Sequence, residues 1–459
     1  MPDPAPAPDP AHQTIRERGR SAIVRIRTAI GEQITLGRYI VRWVVLGGLA
    51  GIFAGLSSFV FLDVLDRVTR YRVAHGWLLW LLPVAGLGIG MTYQLIGGHT
   101  AQGSALLIDQ IHEPKLLSAA GQWVPRRMAP LTLVGTWVTH LFGGSAGREG
   151  TAIQMSASIT DNVGRLLHLG DDERRMLLIA AIGGGFGSVF GVPLAGMVFA
   201  LEVPAIGRAG YEALLPALTA SLVGDRIVGA LGYHHAVRPQ LVASVSWLLL
   251  CKLVAAGLAF GLTGAAFTEL LHALRRFAAR MIPLEPLRPA IGGLAVVGLA
   301  ALFGRDYLGL SLPLIDRSLA GHGASFAVFA LKIVFTAVTL ACGFPGGEVT
   351  PLFVIGATLG AALAGPLHLA VPLAAGVGFV AVFAAAANTP LACTIMGIEL
   401  FGSGAAVPLV VGCVIAYLFS GHRGIYATQR VHSPKGPGLI DGRPSLHELA
   451  RRRRRSREH

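Results

Sequence analysis

Apolar residues gather into roughly a dozen runs, near 39–66, 76–97, 128–144, 149–168, 175–203, 211–232, 245–274, 288–304, 325–342, 349–370, 373–387 and 389–420. A helix needs about 20 apolar residues to cross the hydrocarbon layer. Several runs fall short of that, or are cut by Gly183-Gly184-Gly185, Pro193, Gly343 to Gly347 and Pro390. Such runs predict helices that stop partway across, with their ends buried in protein. The pattern predicts an all-α polytopic membrane protein.

Two of these runs share a string. Residues 193–202 read PLAGMVFALE and residues 390–399 read PLACTIMGIE, so the prolines lie 197 residues apart. Upstream of each is a Gly-rich turn: Gly147-Arg148-Glu149-Gly150-Thr151 and Gly346-Gly347-Glu348-Val349-Thr350, with glutamates 199 residues apart. Two landmarks at nearly one offset predict a duplicated membrane unit, with repeat 1 over 35–235, a loop over 236–243 and repeat 2 over 244–435. Transporters built from repeats bind substrate at the repeat interface through paired, interrupted helices. The string match leaves open whether the repeats are parallel or inverted.

Residues 1–34 are Pro- and Arg-rich and predict a disordered arm; residues 436–459 predict a basic tail. Arg16, Arg18, Arg20, Arg25 and Arg27 at one end, and Arg451 to Arg455 at the other, place both termini in the cytoplasm under the positive-inside rule. The arm lacks the apolar core and small-residue cleavage site of a signal peptide, so no cleavage is expected.

Composition narrows the function. Hydrophobic residues are 53% of the chain and charged residues only 14%, against about 25% charged in soluble proteins. That balance excludes an ordinary cytosolic enzyme. The 60 glycines among 459 residues suit transmembrane helices in close approach. The net charge of +13 comes from the two ends and carries no interleaved aromatics, so nucleic acid is not expected as a partner. The cysteines (Cys251, Cys342, Cys393, Cys413) stand singly in apolar stretches, as small core residues do. The 15 histidines form no ligand cluster, and Ser145 has no His/Asp pattern to activate it. Neither metal, cofactor nor enzymatic activity is expected.

The two turns carry the chemistry. In GGSAGREGTAIQM (143–155) a helix is predicted to begin near Glu149. A helix start offers free N–H donors and a partial positive charge, which suit an anion. The second turn, FPGGEVTPLF (344–353), has the same design, with Pro351 compatible with a first helical turn. Two such starts facing one another near the midplane make an anion site without a dedicated cation. With no Walker-type lysine nearby, that site fits a desolvated halide better than a phosphate. A carboxylate in the bilayer costs roughly 2.5–3.5 kcal/mol, so Glu149 and Glu348 are expected to be functional. An acid beside the site competes with the anion when ionised and withdraws when protonated, a route to exchanging anion for proton. The structural alternatives are a Glu149–Arg148 ion pair and a Glu348 helix cap. Glu202 and Glu399 are expected to make interfacial or interhelical polar contacts.

The run GREGT, then GSVFGVPLAG (187–196), the Gly-Gly-x-x-x-Pro turn of the second half and a late Tyr426 resemble the CLC chloride channel and transporter family over about 35–435. The resemblance implies an α-helical homodimer in the bacterial inner membrane. Each subunit would be an inverted repeat of tilted and broken helices with its own anion pathway. Thr151 stands where most members have proline, Glu348 and Thr350 replace an apolar residue and alanine, and LLIDQIHEPK (106–115) lacks the family's Gly-Ile-Pro. This combination is similar to the bacterial fluoride/proton antiporters of the family.

By that resemblance Glu149 is the external gating glutamate, and Gly147, Arg148, Gly150, Val349 and Thr350 bound the anion path. Glu348 and Thr350 belong to the fluoride and proton machinery, and Tyr426 closes the inner side of the site. Val203 stands where many chloride/proton exchangers keep an internal glutamate, which points to Glu348 as the internal carrier. Ser104 sits in Gly103-Ser104-Ala105 where chloride-type members have Gly-Ser-Gly. Its hydroxyl suits either anion, or caps a helix. Fluoride is small and strongly hydrated, so donors such as Thr350 or a protonated Glu348 must replace its water. The expected function is export of cytoplasmic fluoride in exchange for protons. The alternatives are a chloride/proton exchanger and a passive gated anion channel. The tail is too short for a nucleotide-sensing domain, so no ATP dependence is expected.

Overall fold

The computed structural model describes residues 10–119, 121, 123–436 and 444–458. It divides into two compact units, Met1–Leu46 and Gly47–His459. In the first, the chain is helical from Pro10 onward, within α1 (Pro10–Ala74). Residues 10–34 are therefore helix, where the sequence predicts a disordered arm. Beyond Pro10 there is no further proline, and Ala, Arg, Gln and Glu are good helix formers. Residues 1–9 of that predicted arm lie outside the described residues.

In the second unit the first repeat runs through α2 (Leu82–Thr92), α3 (Ser104–His112), α4 (Pro114–Ala119), α5 (Met128–Leu141), α6 (Glu149–Leu166), α7 (Asp171–Phe190), α8 (Pro193–Glu202) and α9 (Leu214–Ala230). The second contains α10 (Trp247–Met281), α11 (Leu287–Phe303), α12 (Leu312–Leu319), α13 (Phe326–Ala341), α14 (Val349–Leu367), α15 (Val371–Ala387), α16 (Pro390–Phe401) and α17 (Ala406–Phe419). Beyond α17, β2 (Arg430–Val431) pairs in parallel with β1 (Ala205–Ile206), which lies between α8 and α9, and α18 (Leu446–Glu458) follows. Leu446 and Leu449 of α18 pack with Ile206 and Val431, which fixes the C-terminal segment to the first repeat.

Apolar runs and helices do not correspond one to one. The run 175–203 is two helices, α7 and α8, parted at Gly191 with φ +72°. The run 389–420 likewise parts at Gly402, φ +83°. Pro193 and Pro390 each open a helix, where the missing N–H is no loss. Gly183-Gly184-Gly185, by contrast, does not interrupt anything: α7 runs straight through it. There the absent side chains let helices touch, and a Cβ at Gly185 would sit 3.0 Å from the Ala152 carbonyl oxygen of α6. The glycines at 47, 51 and 55 do the same on α1, where a Cβ at Gly51 would lie 2.6 Å from the Ala220 oxygen of α9. Close approach of this kind is how small residues hold membrane helices together.

Among the described residues five helical stretches are long and apolar enough to cross a membrane, and six shorter apolar helices accompany them. One of the five, Val349–Leu367, has 83% of its apolar window buried within the protein, so it is an interior helix that faces little lipid.

The repeats are inverted. Glu202, at the end of α8, accepts the N–H groups of Leu391 (3.2 Å) and Ala392 (2.9 Å) at the start of α16. Glu399 of α16 accepts those of Leu194 (2.9 Å) and Ala195 (2.8 Å) at the start of α8. Each matching helix caps the other's N-terminus, a reciprocity that only a local two-fold relation allows. Both glutamates thus make the interhelical contacts expected of them.

Candidate functional site

The two Gly-rich turns meet in the protein interior. Gly147 N–H donates to the Gly347 carbonyl (2.7 Å) and Gly347 N–H to that of Gly147 (2.9 Å), an antiparallel bridge between the turns. Gly346, at φ +153°, holds a backbone conformation that side chains disfavour. A Cβ at Gly150 would stand 3.1 Å from the Gly347 Cα, so the second turn lies directly against the start of α6.

The bridge also sets the register. Gly147 pairs with Gly347, α6 begins at Glu149 and α14 at Val349. The structural counterpart of Glu149 is therefore Val349, and that of Glu348 is Arg148. Aligning the two glutamates at an offset of 199 is wrong by one residue. The two acids hold different positions and face different surroundings.

Glu149 is fully buried, 0% exposed, at the first position of α6. Its carboxylate crosses to the other helix start. Oε1 accepts the Val349 N–H at 2.5 Å, and Oε2 accepts the Thr350 hydroxyl at 2.8 Å and the Arg148 N–H at 2.9 Å. Val349 and Thr350 lie at the N-terminus of α14, where the helix dipole adds to the attraction for negative charge. Arg148 contributes only its backbone; its guanidinium reaches the Tyr233 hydroxyl (3.5 Å) and lies over Phe190. The Glu149–Arg148 ion pair does not form.

Glu348 occupies the N-cap position of α14 but makes no capping bond through its side chain. The side chain turns instead to Arg275 of α10, whose Nη2 stands 3.4 Å from Oε1. Both residues line a cavity of about 1050 Å³, together with Ser104, Thr151, Gln154 and Tyr426, and His447 of α18 also reaches it. Ser104 is the first residue of α3 and caps nothing; its hydroxyl accepts from Gln154 Nε2 at 3.4 Å. Tyr426 is buried, its ring edge-on to Phe199, and the preceding Ile425 is anchored by its N–H on the Ala386 carbonyl (2.9 Å). Thr151 and Thr136 share a hydroxyl–hydroxyl bond of 2.6 Å just inside α6. The Val203 carbonyl accepts from the buried Gln429 amide (2.8 Å), so that position is closed by a polar contact.

The sequence-predicted residues fall into two linked groups. Gly147, Arg148, Glu149, Gly150, Val349 and Thr350 surround the bridge, while Ser104, Glu348 and Tyr426 line the cavity. A buried cation is tied to the first Gly-rich turn through Ser145. Lys332 of α13, 0% exposed, donates to the hydroxyls of Ser145 (2.9 Å) and Ser311 (2.9 Å) and to the carbonyls of Tyr307 (3.1 Å) and Gly309 (2.8 Å). Lys332 sits in the apolar run 325–342, and its partner Ser145 is 187 residues away, so nothing local marks it. Arg275 escapes for the same reason, although its spacing after Glu269 and His272 along one helix face is a readable signal.

Interrupted helices whose starts meet in the interior, within a bundle of apolar helices, define a multi-pass membrane protein. Residues 85–421 match the family model described as voltage gated chloride channel, and the chain belongs to that family, the CLC proteins. Members of the family transport anions across membranes and are not enzymes. The chain is 47% identical over 413 residues to the chloride/fluoride channel protein of Pseudomonas syringae pv. tomato, covering 88% of this chain and 90% of that one. It is 27% identical to the H(+)/Cl(-) exchange transporter of Cronobacter sakazakii, covering 84% and 88%. The crystal structure of a CLC-type fluoride/proton antiporter is similar at TM-score 0.81 and 34% identity, covering 85% of this chain and 98% of that one. A slow cyanobacterial Cl-/H+ antiporter shares the fold at TM-score 0.71 and 20% identity.

Proposed function

We propose that the protein is a fluoride/proton antiporter that expels cytoplasmic fluoride, with Glu149 as its gate. The observation that carries this reading is the Glu149 carboxylate in the grip of Val349 N–H, Thr350 hydroxyl and Arg148 N–H. A bare anion needs the same donors, so carboxylate and anion compete for one place. Protonation removes the negative charge and two of the carboxylate's strong acceptor sites, and the acid lets go. The anion then binds while the proton remains on Glu149, which links the two movements. Hydrogen bonds to a charged acceptor are worth about 1.5–3 kcal/mol each, so a set of three is strong enough to keep the gate shut until the proton arrives.

Fluoride is favoured over chloride by the Thr350 hydroxyl, a directional donor at the site, and by the likeness to relatives whose names include fluoride. Glu348 carries the proton on the cavity side, and Tyr426 and Ser104 border the anion's way in. Both termini, and with His447 the cavity mouth, face the cytoplasm from a bacterial inner membrane, a reading supported by the basic ends of the chain. The working unit is a homodimer with a separate path in each subunit, built from the repeats 35–235 and 244–435.

The test is efflux from proteoliposomes followed with fluoride and chloride electrodes, each with and without a proton gradient. Fluoride efflux that drives protons the opposite way is the expected result. A reversal potential indifferent to the pH gradient would establish a passive channel, and chloride efflux without fluoride efflux would overturn the cargo.

A further inference from the structure

The inner end of α10 carries a stripe of charge on a single face. Glu269 accepts from Arg423 Nε (2.9 Å), His272 Nε2 meets the Gly424 carbonyl (3.2 Å) and Arg275 reaches Glu348 (3.4 Å). The first two fasten α10 to the loop that leads into Tyr426. The third does something else. The Arg275 side chain is 42% exposed, and its contact with Glu348, itself 17% exposed, is long for a charge-assisted bond.

A second arginine in the cavity is already committed. Arg288 donates from Nε to the Ile282 carbonyl (3.0 Å) and from Nη1 to Glu285 (3.3 Å). Arg275 lines the cavity and has Glu348 as its single hydrogen-bonded partner among the described residues, which leaves most of its five N–H donors without a protein acceptor there. An anion crossing the cavity towards Glu149 first meets the negative Glu348. Without a compensating cation that acid repels it, and Arg275 is the cation placed to offset it.

We propose that Arg275 is an anion-recruiting subsite of the cavity, where the guanidinium takes up a halide by exchanging the loosely held Glu348 carboxylate for it. The halide waits there, one step short of the Val349 and Thr350 donors. This rests on the transport reading given above, but concerns the way in and not the gate. A recruiting charge lowers the concentration needed for half-maximal flux and leaves the maximal rate alone. Its effect fades as salt screens it, because the side chain is part-exposed.

The experiment measures fluoride efflux against internal fluoride at a fixed proton gradient, for wild type, Arg275→Gln and Arg275→Lys. Arg275→Gln is expected to raise the half-saturating concentration about tenfold with the maximal rate kept, and Arg275→Lys to restore it to within about threefold. In the wild type, half-saturation is expected to rise when gluconate salt is added. An unchanged half-saturation in Arg275→Gln, a lysine variant no better than glutamine, or a wild type insensitive to salt would each overturn the proposal. The salt series needs no substitution, so it decides even if Arg275→Gln does not fold. If the wild type moves chloride and not fluoride, the cargo assignment falls, and the same three-protein comparison run with chloride still decides the role of Arg275.

Discussion

Thr350→Val removes one hydroxyl from the bridge between α6 and α14 and changes little else, since valine keeps the shape of threonine. The lost bond is the 2.8 Å contact to Glu149 Oε2, a neutral donor on a charged acceptor. Such a bond contributes about 1.5–3 kcal/mol, and every 1.4 kcal/mol is tenfold in an equilibrium. The carboxylate's hold on the α14 start therefore weakens by roughly ten- to hundredfold. The same hydroxyl serves the anion when the acid has left, so the substitution acts on both competitors. Separating them requires Glu149→Gln, which takes the charge off the gate. In that background Thr350→Val reports the anion alone: the half-saturating fluoride concentration should rise by roughly ten- to hundredfold, and that for chloride much less, because chloride leans less on strong donors. The measurement is electrode-recorded efflux for both anions in the single and double variants. If the ratio of fluoride to chloride flux is the same with and without Thr350 in the Glu149→Gln background, the hydroxyl does not select the anion and the argument from its geometry is refuted.

Glu149→Gln by itself should leave anion flux running but uncoupled, with a reversal potential that no longer follows the pH gradient. Lys332→Met strands the Tyr307 and Gly309 carbonyls and should cost about 2–5 kcal/mol of stability, read as a lower thermal unfolding midpoint in detergent. Glu399→Ala uncaps the start of α8 at a cost of about 1–2 kcal/mol by the same measurement, yet should leave proton coupling intact because the residue lies outside the bridge.

The duplication, the helix start at Glu149 and the prolines that open α8 and α16 are all legible in the chain, because each is written in local letters that govern local backbone. The slip of one residue between Glu149 and Glu348 is not. Matching strings aligned the two acids, while the pairing of Gly147 with Gly347 is a contact that strings do not encode. Gly183 to Gly185 mislead in the other direction, since glycine permits a break but does not impose one, and packing against α6 holds the helix together there. The polar partners that matter most lie far along the sequence, 73 residues for Arg275 with Glu348 and 187 for Lys332 with Ser145. An isolated basic residue inside an apolar run gives no hint of which distant oxygen will meet it.

The antiparallel bridge has a consequence for direction. A local two-fold exchanges the upper and lower approaches to the place where Glu149 lies, so the scaffold alone would treat the two faces of the membrane alike. What breaks that equivalence is the residues at matching positions: a guanidinium-bearing Arg148 on one side answers a carboxylate-bearing Glu348 on the other, and Glu149 answers Val349. An ion approaching from one face is greeted by a different charge from one approaching from the other. Such mismatches let the two approaches differ in how readily an ion enters, while the ion and proton gradients set which way net movement runs.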